Sequence, residues 1–392
     1  MSGQSRRLAG VQTPVIPTVG RWIAATPGTI SLGQGVVSYG PPAEAMDAAR
    51  RFGASLTDHR YGAVEGLPAL IDALEGKLAR ENGIRVRPDS RVVVTAGSNM
   101  GFVNALLAVA DPGDEIILPT PYYFNHEMAV VMATATPVLV PTTPEYQLDL
   151  EAIEAAFTLR TRAVVTVSPN NPTGAVYPES DLRALNTLCR ERGVFHIHDE
   201  AYEYFTYGEA RHFSPGSLDD AGRHTISLHS FSKGYGMASW RVGYMTLPEP
   251  LWDAVNKIQD TVLVCPSGIG QHAAIAAAGV GGDYARAHLP ALDRTRQTIR
   301  RALTQPGVPC DTPDPTGAFY FFLRVHTNLD PLTLVERLIR EHRVAVMPGS
   351  AFGADGGCHL RVSYGALDEA TVDEGVSRLV SGLRAIAGDA SR

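Results

Sequence analysis

The sequence is poor in lysine and cysteine, has no long apolar run, and has no excess of positive charge. Only Lys77, Lys233 and Lys257 are lysines, so 31 of the 34 basic residues are arginine, and chemistry that needs a covalent amine has three candidates. The four cysteines, Cys189, Cys265, Cys310 and Cys358, stand too far apart for a CxxC pair or a zinc knuckle. That excludes a disulfide framework and a local metal finger, and it fits a reducing, cytoplasmic setting. No apolar stretch approaches the length of a membrane span. After Arg6-Arg7 the chain is interrupted by Pro14, Pro17, Arg21 and Pro27, so no export signal is expected there, and no lipidation signal closes the sequence. With 34 basic against 41 acidic residues the net charge is −7. This excludes a general nucleic-acid binder, which needs a basic face, but not a local anion pocket. Internal repeats and low-complexity tracts are also missing.

What remains is a chain of ordinary globular composition, 44% hydrophobic and 19% charged over 392 residues, long enough for about two domains. Residues 1–45, rich in Gly and Pro, read as an extended arm lying on another surface. From residue 46 helices alternate with short apolar strands. Strands are expected at 91–97, 115–119, 163–167, 194–198, 225–231 and 241–247, with helices at 98–110 and about 178–192. Such alternation implies βαβ units and a mostly parallel sheet, whose ligands sit at the carboxyl ends of the strands. Helices dominate from 248 to 305. Strands at 317–325 and 359–365 and helices at 331–342 and 367–388 then form a smaller α+β domain. The division expected is 1–45 for the arm and part of the small domain, 46–290 for the large domain and 291–392 for the small one.

The chemistry-bearing motifs fall at those strand ends. Lys233 lies in Ser230-Phe231-Ser232-Lys233-Gly234-Tyr235-Gly236, among apolar, hydroxyl and glycine residues. Partial desolvation there would supply a neutral amine for a carbonyl. A surface turn lysine or a simple anion cradle are the other readings. Lys77, among Glu75, Arg80 and Glu81, reads as a solvated helix face; Lys257, beside Asp253 and Gln259, belongs to an amphipathic helix. Arg241, eight positions after Lys233, could grip a phosphate monoester bidentately, with Ser230, Ser232 and the helix start at Ser98 adding donors. Asp199 ends an apolar strand and needs a partner, either a protonated ring nitrogen or the next turn. Ser168-Pro169-Asn170-Asn171-Pro172-Thr173-Gly174 is a rigid loop able to present an amide, or else a plain turn. Tyr122, Tyr123 and Phe124 offer an aromatic to stack on a planar ring, with core packing the favoured reading for Phe124. His196 and His198 share a strand face, but the sequence places no third ligand, so no metal is expected.

Taken together, SPNNPTG (168–174), HDEAY (198–202), SFSKGYG with WRVGY (230–244) and HLRVSYG (359–365) resemble the fold-type I pyridoxal-phosphate enzymes, specifically class I aminotransferases. The resemblance runs from Gly33-Gln34-Gly35 to Arg361. It implies an α/β large domain with a mostly parallel sheet of seven-stranded type between helices, plus a smaller α+β domain. The function implied is transfer of an amino group between an L-amino acid and a 2-oxo acid by a ping-pong route using pyridoxal 5′-phosphate. Lys233 would join the cofactor's aldehyde as a Schiff base and move a proton. Asp199 would pair with the ring nitrogen, Asn171 and Tyr202 with the ring oxygen, and Tyr123 would stack on the ring. Ser98, Asn99, Ser230, Ser232 and Arg241 would hold the phosphate end, joined by Tyr61 of a neighbouring subunit in a homodimer that shares its active sites. Arg361 would clamp the substrate carboxylate, with Gly35 leaving room and Asn171 assisting. Two departures stand out. Ser98-Asn99-Met100-Gly101 lacks the lysine found there in some bacterial aspartate aminotransferases, and Ala238-Ser239 precedes Trp240 where Gly is usual. The alternatives are a lyase, decarboxylase or synthase on the same fold, a regulator's sensor module, and a metal enzyme using His196 and His198.

Overall fold

The computed structural model describes residues 5–218 and 220–389. Among the described residues thirteen strands form three sheets. The large sheet contains β2 (Ser90–Thr95), β3 (Glu115–Thr120), β4 (Thr136–Pro141), β5 (Thr161–Val167), β6 (Phe195–Asp199), β7 (Thr225–Ser230) and β8 (Gly243–Pro248). Its order is β2-β8-β7-β6-β5-β3-β4, and only β8 runs antiparallel to its neighbours. The carboxyl ends of β3, β5, β6 and β7 therefore share one edge, where Asp199 ends β6 and the segments bearing Tyr123, Asn171 and Lys233 begin. The smaller sheet, antiparallel and ordered β12-β13-β10-β9, is built from β9 (Cys310–Asp311), β10 (Tyr320–Val325), β12 (Met347–Pro348) and β13 (Cys358–Ser363). A parallel pair, β1 (Ile30–Ser31) with β11 (Val344–Ala345), ties the start of the chain to this end.

Helices cover both faces of the large sheet. The helix Glu179–Arg192 forms because Leu182, Leu185, Asn186 and Cys189 recur on one buried face; acids open it, arginines close it, and Gly193 caps it at φ 67°. On the other face Phe102, Ala105 and Leu106 of the helix Ser98–Val109 pack against Leu228, Met245 and Ile226. The small domain buries Phe319, Phe321 and Leu360 against the helices Pro331–His342 and Glu369–Asp389. Among the described residues no helix is long and apolar enough to cross a membrane.

The structure corrects several expectations. Residues 15–25 are not extended. Val15–Ala25 is a helix with Pro17 in its first turn, where a missing N–H costs nothing, and with Val19 fully buried in this chain's own core. The edge strand β4 escapes a propensity reading because it is short and has proline near each end. The glycine-rich turn after β7 is a helical turn, Phe231–Gly234, followed by Arg241 in the left-handed region at φ 55°, so β8 begins only at Gly243. Lys77 is not solvated: it is 2% exposed and ion-paired with Glu203. Lys257, in contrast, is exposed and pairs with Asp253.

Candidate active site

A cavity of about 540 Å³ opens between the carboxyl edge of the large sheet and the small sheet. Of the residues named above for cofactor or substrate, all but Tyr61 line it: Gly35, Ser98, Asn99, Tyr123, Asn171, Asp199, Tyr202, Ser230, Ser232, Lys233, Arg241 and Arg361. Tyr61 lies outside it and is 84% exposed.

Lys233 enters from the helical turn after β7, whose first N–H groups are satisfied by Ser230 Oγ accepting from the Ser232 amide at 3.1 Å. Its Nζ donates to the carbonyl of Gly35. Among the described residues no carboxylate lies within ion-pair distance of it. Burial, reinforced by the nearby cations Arg361 and Arg241 and opposed by Asp199, brings the amine down to about 8. At Gly35 a Cβ would stand 2.6 Å from the Tyr320 hydroxyl, so only glycine fits there. Its contribution is the carbonyl that orients the amine.

One end of the cavity is shaped for an anion. Arg241 Nη1 donates to the Ala238 carbonyl at 2.8 Å and to Ser232 Oγ at 3.4 Å. Gly97, at φ 80°, precedes the helix Ser98–Val109, and a Cβ on it would lie 2.2 Å from Arg241 Nη2. Gly243 is equally crowded, its missing Cβ facing the Ser98 amide at 2.7 Å. Glycines at these positions let a guanidinium, two serines and the unpaired amides of a helix start converge.

At the floor, Asp199 Oδ1 accepts from the Ala201 amide at 3.0 Å and Oδ2 lies 3.2 Å from His126 Nε2. His126 is buried between Phe102, at 4.0 Å, and the edge of Tyr123, at 5.1 Å. Tyr123 is held by Asn99 and by Asn125, the latter donating at 2.8 Å, and burial raises its phenol above the ordinary range. Asn171 accepts from Arg361 Nη1 at 2.8 Å through Oδ1, which turns its amide toward the Tyr202 hydroxyl, 3.5 Å away. Tyr202 and Tyr320 share a hydroxyl contact of 2.7 Å. Burial keeps both phenols protonated, Tyr320 at about 12.

Arg361, on β13, lies over Tyr320 and Phe352 at 4.7 and 4.9 Å and donates Nη2 to the Gly33 carbonyl at 2.7 Å. Its Nε is buried without a hydrogen-bond partner. His196 and His198 both meet Thr166 Oγ1, at 2.8 and 2.6 Å, inside the sheet and away from this cavity.

Sequence reasoning missed His126, Tyr320, Met347 and Ile16; Phe124 packs against the core, as expected, and also lines the cavity. His126 lies in the helix Phe124–Met132, which Tyr123 caps.

Comparisons with known proteins place the chain in a family. A sequence model described as "Aminotransferase class I and II" matches residues 27–379. A probable aspartate/prephenate aminotransferase of Aquifex aeolicus is 38% identical over 337 residues, 83% of this chain and 84% of that protein. The aromatic aminotransferase ISS1 of Arabidopsis thaliana is 33% identical and covers 97% of this chain and 96% of its own. A solved structure titled Pyrococcus protein-A1 superposes with a TM-score of 0.91 at 33% identity, covering 97% of this chain and 98% of that one.

Proposed function

This chain belongs to the class I and II aminotransferases, enzymes that move an amino group between an amino acid and a 2-oxo acid, and we propose that it works with pyridoxal 5′-phosphate attached at Lys233. The observation that carries this reading is the lysine amine itself, withdrawn from water, lowered to about 8 and without a carboxylate partner. The chemistry supplied by bound pyridoxal phosphate is an aldehyde for an amine to join and a protonated ring that takes up electron density.

The residues divide the remaining work. Arg241, Ser230, Ser232 and the amides at Ser98 and Asn99 take the phosphate, which suits the crowded glycines 97 and 243. Asp199 keeps a ring nitrogen protonated, and His126 steadies that carboxylate. Asn171 and Tyr202 donate to a ring oxygen, and Tyr123 lies against the ring. Arg361 offers its open Nε beside Nη2 to the substrate α-carboxylate, a two-pronged grip. Lys233, as a free amine, would take the proton from the substrate Cα and hold it at Nζ for its return. The cycle runs as two half-reactions, so the kinetics are ping-pong. A lyase, decarboxylase or synthase reading draws no support from the two curated relatives named above, both of which bear aminotransferase names. Their names split between aspartate/prephenate and aromatic, so they do not choose a side chain. The same reading places Tyr61 at the phosphate of a second subunit in a homodimer, which its exposure supports.

The test is to load the protein with pyridoxal 5′-phosphate, reduce with borohydride and map the labelled peptide. A label on Lys233, with one 2-oxo acid released per subunit in a half-reaction, is expected. A label on Lys77 or Lys257, or release of ammonia or carbon dioxide, refutes the assignment.

A further inference from the structure

We propose that Tyr146 is a positioning residue for Arg361, acting from outside the catalytic cavity through Phe322 and Phe352; the proposal rests on Arg361 as the clamp of the substrate carboxylate. The starting observation is a strained turn. Between β4 and the helix Leu150–Ala155 the chain doubles back, with the Tyr146 amide donating to the Thr143 carbonyl at 2.8 Å and the Thr143 amide to the Gln147 carbonyl at 2.9 Å. Tyr146 sits there at φ 60°, in the left-handed region that so large a side chain rarely adopts. Such strain persists where the surroundings over-determine it, and here the determining contacts lie on the small domain.

Tyr146 lines a second cleft, of about 580 Å³, between the carboxyl end of β4 and the small sheet. Its ring meets Phe322 edge-on, at 5.7 Å and 75°, and its hydroxyl donates to the Phe322 carbonyl at 3.5 Å. Burial pushes this phenol up to about 12, so it keeps its proton. Phe322 pairs with Arg361 in the β10–β13 register, which sends both side chains from the same face of the sheet. Phe322 stands edge-on to Phe352, at 6.1 Å, and Phe352 lies 4.9 Å from the Arg361 guanidinium. The large domain also holds Phe352 directly: the Tyr122 amide donates to its carbonyl at 3.0 Å, and a Cβ on the next residue, Gly353, would lie 2.3 Å from the Tyr122 ring. Asn171 and the Gly33 carbonyl fix Nη1 and Nη2 of Arg361. The tilt of the guanidinium plane, on which a two-pronged grip depends, is set by the rings against it. Without Tyr146, Phe322 relaxes into the cleft, Phe352 follows and the plane tilts.

The experiment titrates the protein loaded with pyridoxal 5′-phosphate with 2-methylalanine, an amino acid that has no Cα proton to lose, and follows the visible absorbance. Tyr146→Ala and Tyr146→Gly should each weaken its binding by about threefold to tenfold. Glycine relieves the left-handed strain, so a loss shared by both variants comes from the missing ring and not from the turn. Tyr146→Phe, which keeps the ring, should stay within about twofold of the parent. In half-reactions with reactive amino acids the same variants should raise KM more than they lower kcat. Cofactor affinity, set at the far end of the cavity, should not change. Unaltered 2-methylalanine binding in the Ala and Gly variants overturns the proposal. So does an equal loss of cofactor affinity, which would show a general loosening, or a Phe variant as weak as the Ala one. A parent protein whose absorbance answers to no amino acid refutes the reading of the site itself, and the proposal falls with it.

Discussion

Lys77 and Lys233 are both drawn out of water, and what surrounds them differs in sign. Lys77 ends the helix Pro68–Lys77, pairs with Glu203, donates to Asn82 Oδ1 at 2.8 Å and lies 5.3 Å from the centre of the Tyr204 ring. Around it are more anions than the lysine alone can balance. Glu200 is fully buried, and His229 stands between the two carboxylates, 3.7 Å from Glu200 and 3.8 Å from Glu203. Burial by itself would raise Glu203, but Lys77 and then His229 outweigh it and hold the carboxyl at about 2. Lys233 has a carbonyl for a partner and two arginines for neighbours. A buried ammonium ringed by carboxylates is a structural charge; a buried amine facing cations is the one that can shed its proton and react.

The largest effect expected from this contrast is on turnover. Lys233→Ala should slow the amino-group half-reaction at least about 10⁴-fold, since it removes both the attachment point and the proton carrier. Rapid-mixing measurements on protein supplied with pyridoxal 5′-phosphate check this, and a rate within tenfold of the parent would erase the distinction between the lysines. Lys77→Met should leave the chemistry in place and cost about 3–5 kcal/mol of stability in denaturant titrations, because Glu203 stays buried without its ammonium partner. Adding Glu203→Leu should restore most of that loss. Because Glu203 is depressed from 4.5 to about 2, its pairing stabilises the fold above pH 4.5 and is lost as the pH falls from there toward 2. Lys77→Met should flatten that stretch of the acid titration.

The alternation of strands and helices was legible because each element announces itself within ten or twenty residues. Lys77 shows where such reading stops. Its neighbours along the chain are charged, but its neighbours in space are set by the helix period: Leu70 and Leu74 precede it by seven and three residues on the buried face. Its partner Glu203 is 126 positions away, beyond the reach of any local pattern. His126 was missed for the same reason, since Asp199 gives it meaning only after β3 and β6 are brought to one edge. The residues of the site were legible through linked motifs, whereas the carbonyls of Gly33 and Gly35, which orient Arg361 and Lys233, carry no side chain to read.

Gly97 tests whether the anion end is as tightly shaped as its geometry implies. Gly97→Ala puts a methyl at φ 80° against the Arg241 guanidinium. The strain and displacement should weaken pyridoxal 5′-phosphate binding by about tenfold to a hundredfold in a spectroscopic titration, with competition by inorganic phosphate weakened in parallel. Unaltered affinity would mean that Arg241 does not set the phosphate position.

The smallest effect expected sharpens the comparison most, because it has the opposite sign at the two lysines. An amine lowered from 10.5 to about 8 is a group the folded, cofactor-free chain would sooner hold neutral. Below pH 8 the unfolded chain gains nothing it lacks, but the folded one bears a desolvated ammonium, so the full cost is present there. Between 8 and 10.5 the unfolded chain binds more protons than the folded one, stability rises with pH, and above 10.5 the cost is gone. Lys233→Met should therefore stabilise the cofactor-free protein by about 1–3 kcal/mol at pH 7, and the gain should vanish by about pH 10.5. Where Lys77→Met weakens the fold, Lys233→Met strengthens it. Equal losses from both in parallel denaturant titrations would show that Lys233 is held by a partner after all, and its place as the reactive amine would have to be argued again.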